Sequence, residues 1–127
     1  MSDFQTKARE AAAAMREVFP ATPLQRNAHL SERFGADIWL KREDLSPVRS
    51  YKLRGAFNAM RKRPEVDLVV AASAGNHAQG VAFMCRHFGK RGVIFMPVTT
   101  PQQKIQKTAM FGGDNIEIKL IGDYFDD

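Results

Sequence analysis

The sequence predicts an α/β fold built on a parallel three-layer sheet, and three observations support this fold class. From residue 50 onward the predicted elements follow the order αβαβαβ. The strands are short and aliphatic, which is typical of sheets that helices cover. Strands that alternate with helices pair in parallel through right-handed connections, and such sheets bind ligands at the carboxyl ends of their strands.

The first part of the chain is predicted to contain one helix and one strand. Apolar residues recur at helical spacing from Phe4 to Phe19 and stop at Pro20, so we predict a helix that ends before this proline. Residues 37–41 read as a short strand. The charged residues 41–44 that follow are typical of a solvated turn with ion pairs.

Three helices are predicted in the second part. Ser50 has the residue type of an N-cap for the first of them. Its buried face is predicted to consist of Leu53, Ala56, Phe57 and Met60. The second helix would begin near Asn76 and end at Gly89. Residues 100–103 have the form of a capping box with proline at the first helical position, and Gly112 would end this third helix.

Three strands are predicted to alternate with these helices. Residues 66–72 form a nearly continuous apolar run, as expected of a parallel strand covered on both faces. Residues 93–96 form a second buried strand, and the alternation over 116–120 predicts a half-buried third. We therefore divide the chain into residues 1–45, with the first helix and strand, and residues 46–127, a small α/β domain.

Composition excludes several classes of protein. No apolar stretch approaches the roughly 20 residues of a membrane-spanning helix, and no secretory signal is visible, so we expect a cytoplasmic protein without a membrane partner. The net charge of +5 is scattered without interleaved aromatic residues, so no nucleic-acid partner is expected. The spacing of His77, Cys85 and His87 matches no common metal site, and the single cysteine reads as a core residue.

Lys52 carries the first chemical signal. If Ser50 is the N-cap, Lys52 lies in the first helical turn, where the helix dipole disfavours an ammonium. The neighbouring Arg49 and Arg54 and partial desolvation also favour the neutral amine. A neutral amine is a nucleophile that can form a Schiff base with an aldehyde and can act as a general base. The spacing alone favours a solvated lysine on an imperfect cap, because a lysine in the first turn is disfavoured by only about 0.3–1 kcal/mol.

The second signal is the strand-loop-helix turn over residues 71–80. Free N–H groups at the start of the helix and small loop residues suit a carboxylate or phosphate. The turn lacks the sequence of a P-loop and of a dinucleotide-binding loop. The alternative is that Asn76 merely caps the helix, with Gln79 completing a reciprocal capping box. A capping role and a ligand-binding role are compatible with each other.

Taken together, residues 50–56 and 73–80 closely resemble the threonine dehydratases, or threonine ammonia-lyases, which are pyridoxal-phosphate enzymes of the tryptophan-synthase-β type (fold type II). The resemblance continues through further motifs at residues 22–24, 40–45, 97–104 and 112–113. It implies the dehydration and deamination of L-threonine to 2-oxobutanoate and ammonia, with an amino acid as the small-molecule partner, in isoleucine biosynthesis.

The resemblance also implies roles for individual residues. Lys52 would carry pyridoxal 5'-phosphate covalently and exchange it for the substrate amine, and Asn76 would hydrogen-bond the 3-oxygen of the cofactor ring. The loop that holds the substrate carboxylate would consist of Ser73, Ala74, Gly75, Asn76 and His77. We also assign Tyr51 to cofactor binding, and we expect no metal.

Two alternatives remain open from the sequence. Serine racemases and serine dehydratases share the lysine and asparagine segments, and a catalytically inactive anion-binding module is the alternative outside enzymes. The family's glycine-rich phosphate loop, and the serine or cysteine at the pyridine nitrogen, are not among these 127 residues. The resemblance also implies that residues 1–45 pack on a second domain outside this sequence. We therefore expect the cofactor-lysine part of a larger homo-oligomeric enzyme, with weak cofactor binding and little lyase activity in these residues alone.

Overall fold

The computed structural model describes residues 3–124 and divides the chain into two compact units, one ending at Ser50 and the other beginning at Tyr51. The outermost residues of both predicted domains lie outside the described residues, and the packing of residues 1–45 on a second domain stays a prediction. Among residues 3–124, no helix is both long enough and apolar enough to cross a membrane.

The first unit consists of short elements. Its helices and strands are α1 (Asp3–Met15), β1 (Leu24–Arg26), α2 (Ala28–Phe34), β2 (Trp39–Lys41) and a 3-10 turn (Glu43–Leu45). The two strands pair antiparallel, with Leu24 opposite Lys41. The strand predicted over residues 37–41 and the charged turn after it are therefore present. The helix predicted to reach Phe19 ends at Met15 and continues as turns.

The second unit has the predicted order of elements. It contains α3 (Lys52–Arg61), β3 (Leu68–Ala72), α4 (Asn76–Phe88), β4 (Arg91–Met96), α5 (Gln102–Gly112), a 3-10 turn (Gly113–Asn115) and β5 (Ile116–Leu120). The strands form a parallel sheet in the order β3-β4-β5, with Ile94 paired to both Ala71 and Ile118. The predicted α/β class and the parallel sheet are confirmed.

The core of the second unit lies between this sheet and its helices. The buried face predicted for α3 is confirmed, since Leu53, Ala56, Phe57 and Met60 are all buried. Helix α4 packs against α3, α5 and the sheet. Strand β3 departs from expectation, because Leu68 and Val70 on its second face are at least half exposed. The predicted cover on both faces of this strand is therefore wrong within the described residues.

The helix caps differ from those predicted. Helix α3 begins at Lys52 with Tyr51 at the cap position, and the Ser50 hydroxyl is buried without a hydrogen-bond partner among the described residues. The Ser50 N–H donates to the Ser46 hydroxyl at 3.0 Å, and this hydroxyl donates to the Ser50 carbonyl at 2.9 Å. Helix α5 likewise begins after Pro101, which is the cap residue and not the first helical one, and the Thr100 hydroxyl makes no capping bond.

Candidate active site

The loop from Ser73 to Gly75 lies at the carboxyl end of β3, where a parallel sheet is expected to bind ligands. The Ser73 N–H donates to the carbonyl of Phe95 at 3.0 Å and so ties the loop to β4. The Ser73 hydroxyl accepts a hydrogen bond of 3.2 Å from the Gly75 N–H. These two bonds fix the loop that leads into α4.

The first turn of α4 presents free backbone donors. Gly75 is the cap residue, and no side chain of the described chain caps this end. The Gln79 N–H donates to the Gly75 carbonyl at 3.2 Å, which leaves the N–H groups of residues 76–78 without an acceptor inside the helix. Together with the positive end of the helix dipole, these donors favour a negatively charged group.

Asn76 is the first residue of α4 and not its cap, so the sequence-based alternative of a purely capping role is wrong. Asn76 and His77 are both exposed, while Ser73, Ala74 and Gly75 are half-buried. The Asn76 amide is therefore accessible at the mouth of the loop. All residues predicted to hold a carboxylate occupy one continuous turn between β3 and α4.

Lys52 is the first residue of α3, as the prediction that it lies in the first helical turn requires. It is half-buried, and its Nζ lies 5.4 Å from the centroid of the Tyr51 ring. This distance is within the range of a cation–π contact. Tyr51 is itself 60% exposed. The aromatic ring beside the Lys52 amine is therefore accessible to a ligand.

The start of α3 packs against the second turn of α4. Gly80 in the second turn of α4 is buried, and a Cβ placed on it would lie 3.1 Å from the carbonyl carbon of Lys52. Residues 76 and 80 are one helical turn apart and share a helix face. The backbone of Lys52 therefore lies against α4 at Gly80, one helical turn from Asn76.

The arginines expected near Lys52 are placed differently from each other. Arg49 belongs to the first unit, where its guanidinium lies 3.4 Å from the carbonyl of Asp44 and its backbone has a φ of 61°. Arg54 is in α3 and is half-buried. Tyr51, Lys52 and the loop thus all belong to the second unit, in which the Lys52 backbone packs against Gly80 of α4, and Arg54 lies in the same helix as Lys52.

Cys85 is a core residue, as its position on the apolar side of α4 predicted. Its side chain is fully buried, and this burial raises the pKa of the thiol to about 11, against a smaller lowering by Lys90. A thiol with so high a pKa is a poor nucleophile at neutral pH. Across residues 3–124, no group of three His, Cys, Asp or Glu side chains is arranged to hold a metal ion.

Gly80 is a residue of this site to which the sequence assigned no role. Its surroundings depend on which helix packs against α4, and a glycine inside a helical pattern carries no information on its neighbour. The available signal was indirect, because glycine in the interior of a helix is unfavourable and indicates a packing or functional reason when it occurs there.

Curated relatives are similar to most of the chain. The biosynthetic L-threonine dehydratase IlvA of Bacillus subtilis (strain 168) is 55% identical over 116 residues, which are 89% of this chain and 28% of that protein. The enzyme of the same name from Staphylococcus saprophyticus is 50% identical over 121 residues. The chain thus spans less than a third of the length of these relatives, 28% and 29% respectively.

Solved structures agree with this similarity. The processed form of threonine deaminase isoform 2 from Solanum lycopersicum is 39% identical with a TM-score of 0.83, and the match covers 99% of this chain and 36% of that one. Maize serine racemase is 26% identical with a TM-score of 0.77 over 92% of this chain and 36% of its own. The model of the pyridoxal-phosphate dependent enzyme family matches residues 15–127. The chain therefore belongs to this family of pyridoxal-phosphate-dependent enzymes, as its motifs predicted.

Proposed function

We propose that this chain is the cofactor-lysine part of an L-threonine dehydratase, which converts L-threonine to 2-oxobutanoate and ammonia. One observation supports this most directly: the backbone of Lys52, the first residue of α3, packs against Gly80 of α4. Gly80 lies one helical turn from the Asn76 amide and from the free N–H groups at the start of α4. Eight curated relatives that are 46% to 55% identical carry the name biosynthetic L-threonine dehydratase. The structure alone is compatible with other amino-acid substrates.

The residues at the two helix ends fit the cofactor's chemistry. Lys52 offers an amine for an aldehyde, Asn76 an amide for a ring oxygen, and Tyr51 an exposed ring beside the amine. When bound, pyridoxal 5'-phosphate supplies an electron sink for the electrons left on the substrate α-carbon. We assign to the Lys52 Nζ the covalent hold on the cofactor. Once the substrate amine has displaced it, the free Lys52 amine would remove the α-proton.

The loop between β3 and α4 is assigned to the substrate carboxylate. The N–H groups that begin α4 would donate to it, and the small side chains of Ala74 and Gly75 let it approach the backbone. The Ser73 hydroxyl accepts from the Gly75 N–H and keeps its own proton to donate. This loop would hold the α-carbon of the substrate on the side of Lys52.

The first experiment tests whether Lys52 is the cofactor lysine. The protein is incubated with pyridoxal 5'-phosphate, reduced with borohydride and digested, and the pyridoxyl group is mapped to peptides. We expect label enriched on Lys52 over Lys62, an exposed lysine at the end of the same helix. The Lys52→Arg variant should lose this label, whereas the matched Lys62→Arg variant should keep it. Equal labelling of the two lysines would contradict the proposal and favour an anion-binding module.

A serine-specific enzyme is a second candidate, because maize serine racemase shares the fold at 26% identity. The higher identity of the threonine dehydratases favours threonine over serine. We expect little turnover of either amino acid by these 127 residues, since they contain no glycine-rich loop that would hold the cofactor phosphate. Product analysis with threonine and serine checks both points, and full turnover of threonine would contradict the second.

A further inference from the structure

Gly80 in α4 packs closely against the main chain at the start of α3. A Cβ at this position would lie 3.1 Å from the Leu53 nitrogen, 3.1 Å from the Lys52 carbonyl carbon and 3.2 Å from the Lys52 carbonyl oxygen. All three are backbone atoms, and they belong to the first two residues of α3. Carbon atoms in favourable contact are about 3.5 Å apart or more, so a methyl group at residue 80 requires a displacement of about 0.4 Å.

Other glycines of the chain have different surroundings. Gly55, in the middle of α3, has nothing within 4 Å of a Cβ. A Cβ on Gly92 in β4 would meet the Cys85 sulfur at 2.8 Å and a methyl of Ile116 at 3.0 Å, which are both side-chain atoms. A side chain can rotate away from such a contact, whereas the start of α3 can only move as backbone. A Cβ at Gly80 would therefore displace the residue that carries the reactive amine.

We propose that Gly80 is a positioning residue, which sets the place of the Lys52 amine relative to the first turn of α4. This inference rests on the proposed role of Lys52 as the cofactor lysine. A shift of the Lys52 carbonyl changes where its side chain starts, and the four-carbon chain carries the change to the Nζ. Reacting groups must be held within about 0.5 Å and 10–20° of the productive geometry. A backbone shift of about 0.4 Å uses most of this distance, and any rotation of the start of α3 adds to the displacement at the far end of the lysine side chain.

The test compares Gly80→Ala with two matched variants. Gly55→Ala adds a methyl group to α3 in open space, and Gly92→Ala adds strain in the same unit without contact to Lys52. For each protein the ratio of pyridoxyl label on Lys52 to label on Lys62 is measured after borohydride reduction, from pH 6 to pH 10 at an order-of-magnitude excess of pyridoxal 5'-phosphate. The ratio within one molecule cancels differences in the amount of protein.

We expect Gly80→Ala to lower this ratio about tenfold and to change its dependence on pH. Gly55→Ala and Gly92→Ala should keep the ratio and the pH profile of the unchanged protein, even where Gly92→Ala lowers the melting temperature. If Gly80→Ala is folded by circular dichroism and labels like Gly55→Ala, the inference is wrong. If the unchanged protein itself shows no enrichment at Lys52, the proposed function fails instead.

Loss of folding in Gly80→Ala is a separate outcome with its own measurement. The labelling is then repeated in sucrose, which favours the compact state because it is excluded from the protein surface. A lowered ratio in refolded protein supports the inference. A variant that stays unfolded in sucrose contradicts the inference, because this outcome would show that Gly80 is needed for folding of the unit and not for placement of the Lys52 amine.

Discussion

The two units of the chain differ in how far their strands and helices bury apolar side chains. In the unit that ends at Ser50, both strands are exposed at every residue, with Leu24 at 61% and Trp39 at 54% exposed. In the unit that begins at Tyr51, Leu53 and Ile94 are exposed by no more than 1%. The candidate active-site residues thus belong to the unit with the densely packed core, whose rigid elements can hold them in place.

The largest expected effect comes from the same substitution made in each unit. Leu53→Ala removes a buried side chain and should lower the free energy of unfolding by about 2–5 kcal/mol. Leu24→Ala removes a mostly exposed side chain and should cost less than about 1 kcal/mol. Urea denaturation followed by circular dichroism measures both. Equal losses would show that Leu24 is covered in solution and would remove the contrast between the units.

A matched pair of glycines gives the next largest effect. Helices α2 and α4 end in the same way, with Gly35 at a φ of 60° and Gly89 at a φ of 65°. A Cβ at either residue meets nothing within 4 Å, so Gly→Ala adds only backbone strain, about 1 kcal/mol or slightly more. Hydrogen exchange in the last turn of each helix should accelerate severalfold in its own variant.

The comparison becomes sharper with a helical glycine of ordinary backbone geometry. Gly55→Ala in α3 should stabilise the protein slightly, because alanine is the better helix former and its methyl group meets nothing. If Gly89→Ala or Gly35→Ala behaves like Gly55→Ala, the helix end concerned does not hold its left-handed residue in solution. The unit in which this happens is then less ordered than its backbone bonds indicate.

The sequence predicted the second unit well because hydrophobic periodicity is a local property. The spacing of Leu53, Ala56, Phe57 and Met60 marks one helix face, and this face is buried. Gly89 after a periodic segment marks the end of α4. The loop at the end of β3 followed from the same boundaries. Lys52 does lie in the first turn of α3 as predicted, although the prediction used Ser50 as the cap and the structure has Tyr51 there.

The sequence predicted the first unit less well. Strand β1 has 3 residues, too few to show alternation, and α2 has 7, which gives a helix of about two turns without a clear apolar face. The sequence does contain a capping signal for α2, because Asn27 precedes the helix and Gly35 follows it. In the structure the Asn27 side chain accepts a hydrogen bond from the Leu30 N–H. Short exposed elements depend on such local bonds more than on periodicity.

Caps and close contacts could not be predicted from residue type alone. Ser50 and Thr100 both have the side chain of a cap, but their hydroxyl groups are buried without a partner among residues 3–124. A cap needs a particular backbone angle as well as an oxygen, and Tyr51 at the start of α3 is already helical with a φ of −73° and a ψ of −13°. The contact of Gly80 with Lys52 depends on the pairing of two helices, which is a tertiary property.

The smallest expected effect concerns an exposed ion pair of the first unit. The Arg42 Nη2 lies 2.7 Å from the Asp44 carboxylate, and its Nε donates to the same group at 2.9 Å. Hydrogen bonding from Arg42 holds the pKa of the Asp44 carboxyl below its ordinary value of 3.8. A lowered pKa in the folded state adds stability that is present above the unfolded value and is lost as the pH falls through the folded value.

Replacing Arg42 should therefore raise the titration midpoint of Asp44 towards 3.8. Carbon-detected NMR of the carboxyl group in Arg42→Gln measures this midpoint, and Arg26→Gln, which removes the partner of Asp37, should leave it unchanged. Because the Asp44 side chain is exposed, the Arg42 side chain is partly exposed and solvent screens the pair, the accompanying change in stability should be smaller than those of the leucine and helix-end glycine variants. It should vanish below the folded pKa. An unchanged midpoint in Arg42→Gln would show that the pair does not persist in solution and that this turn of the first unit is held without it.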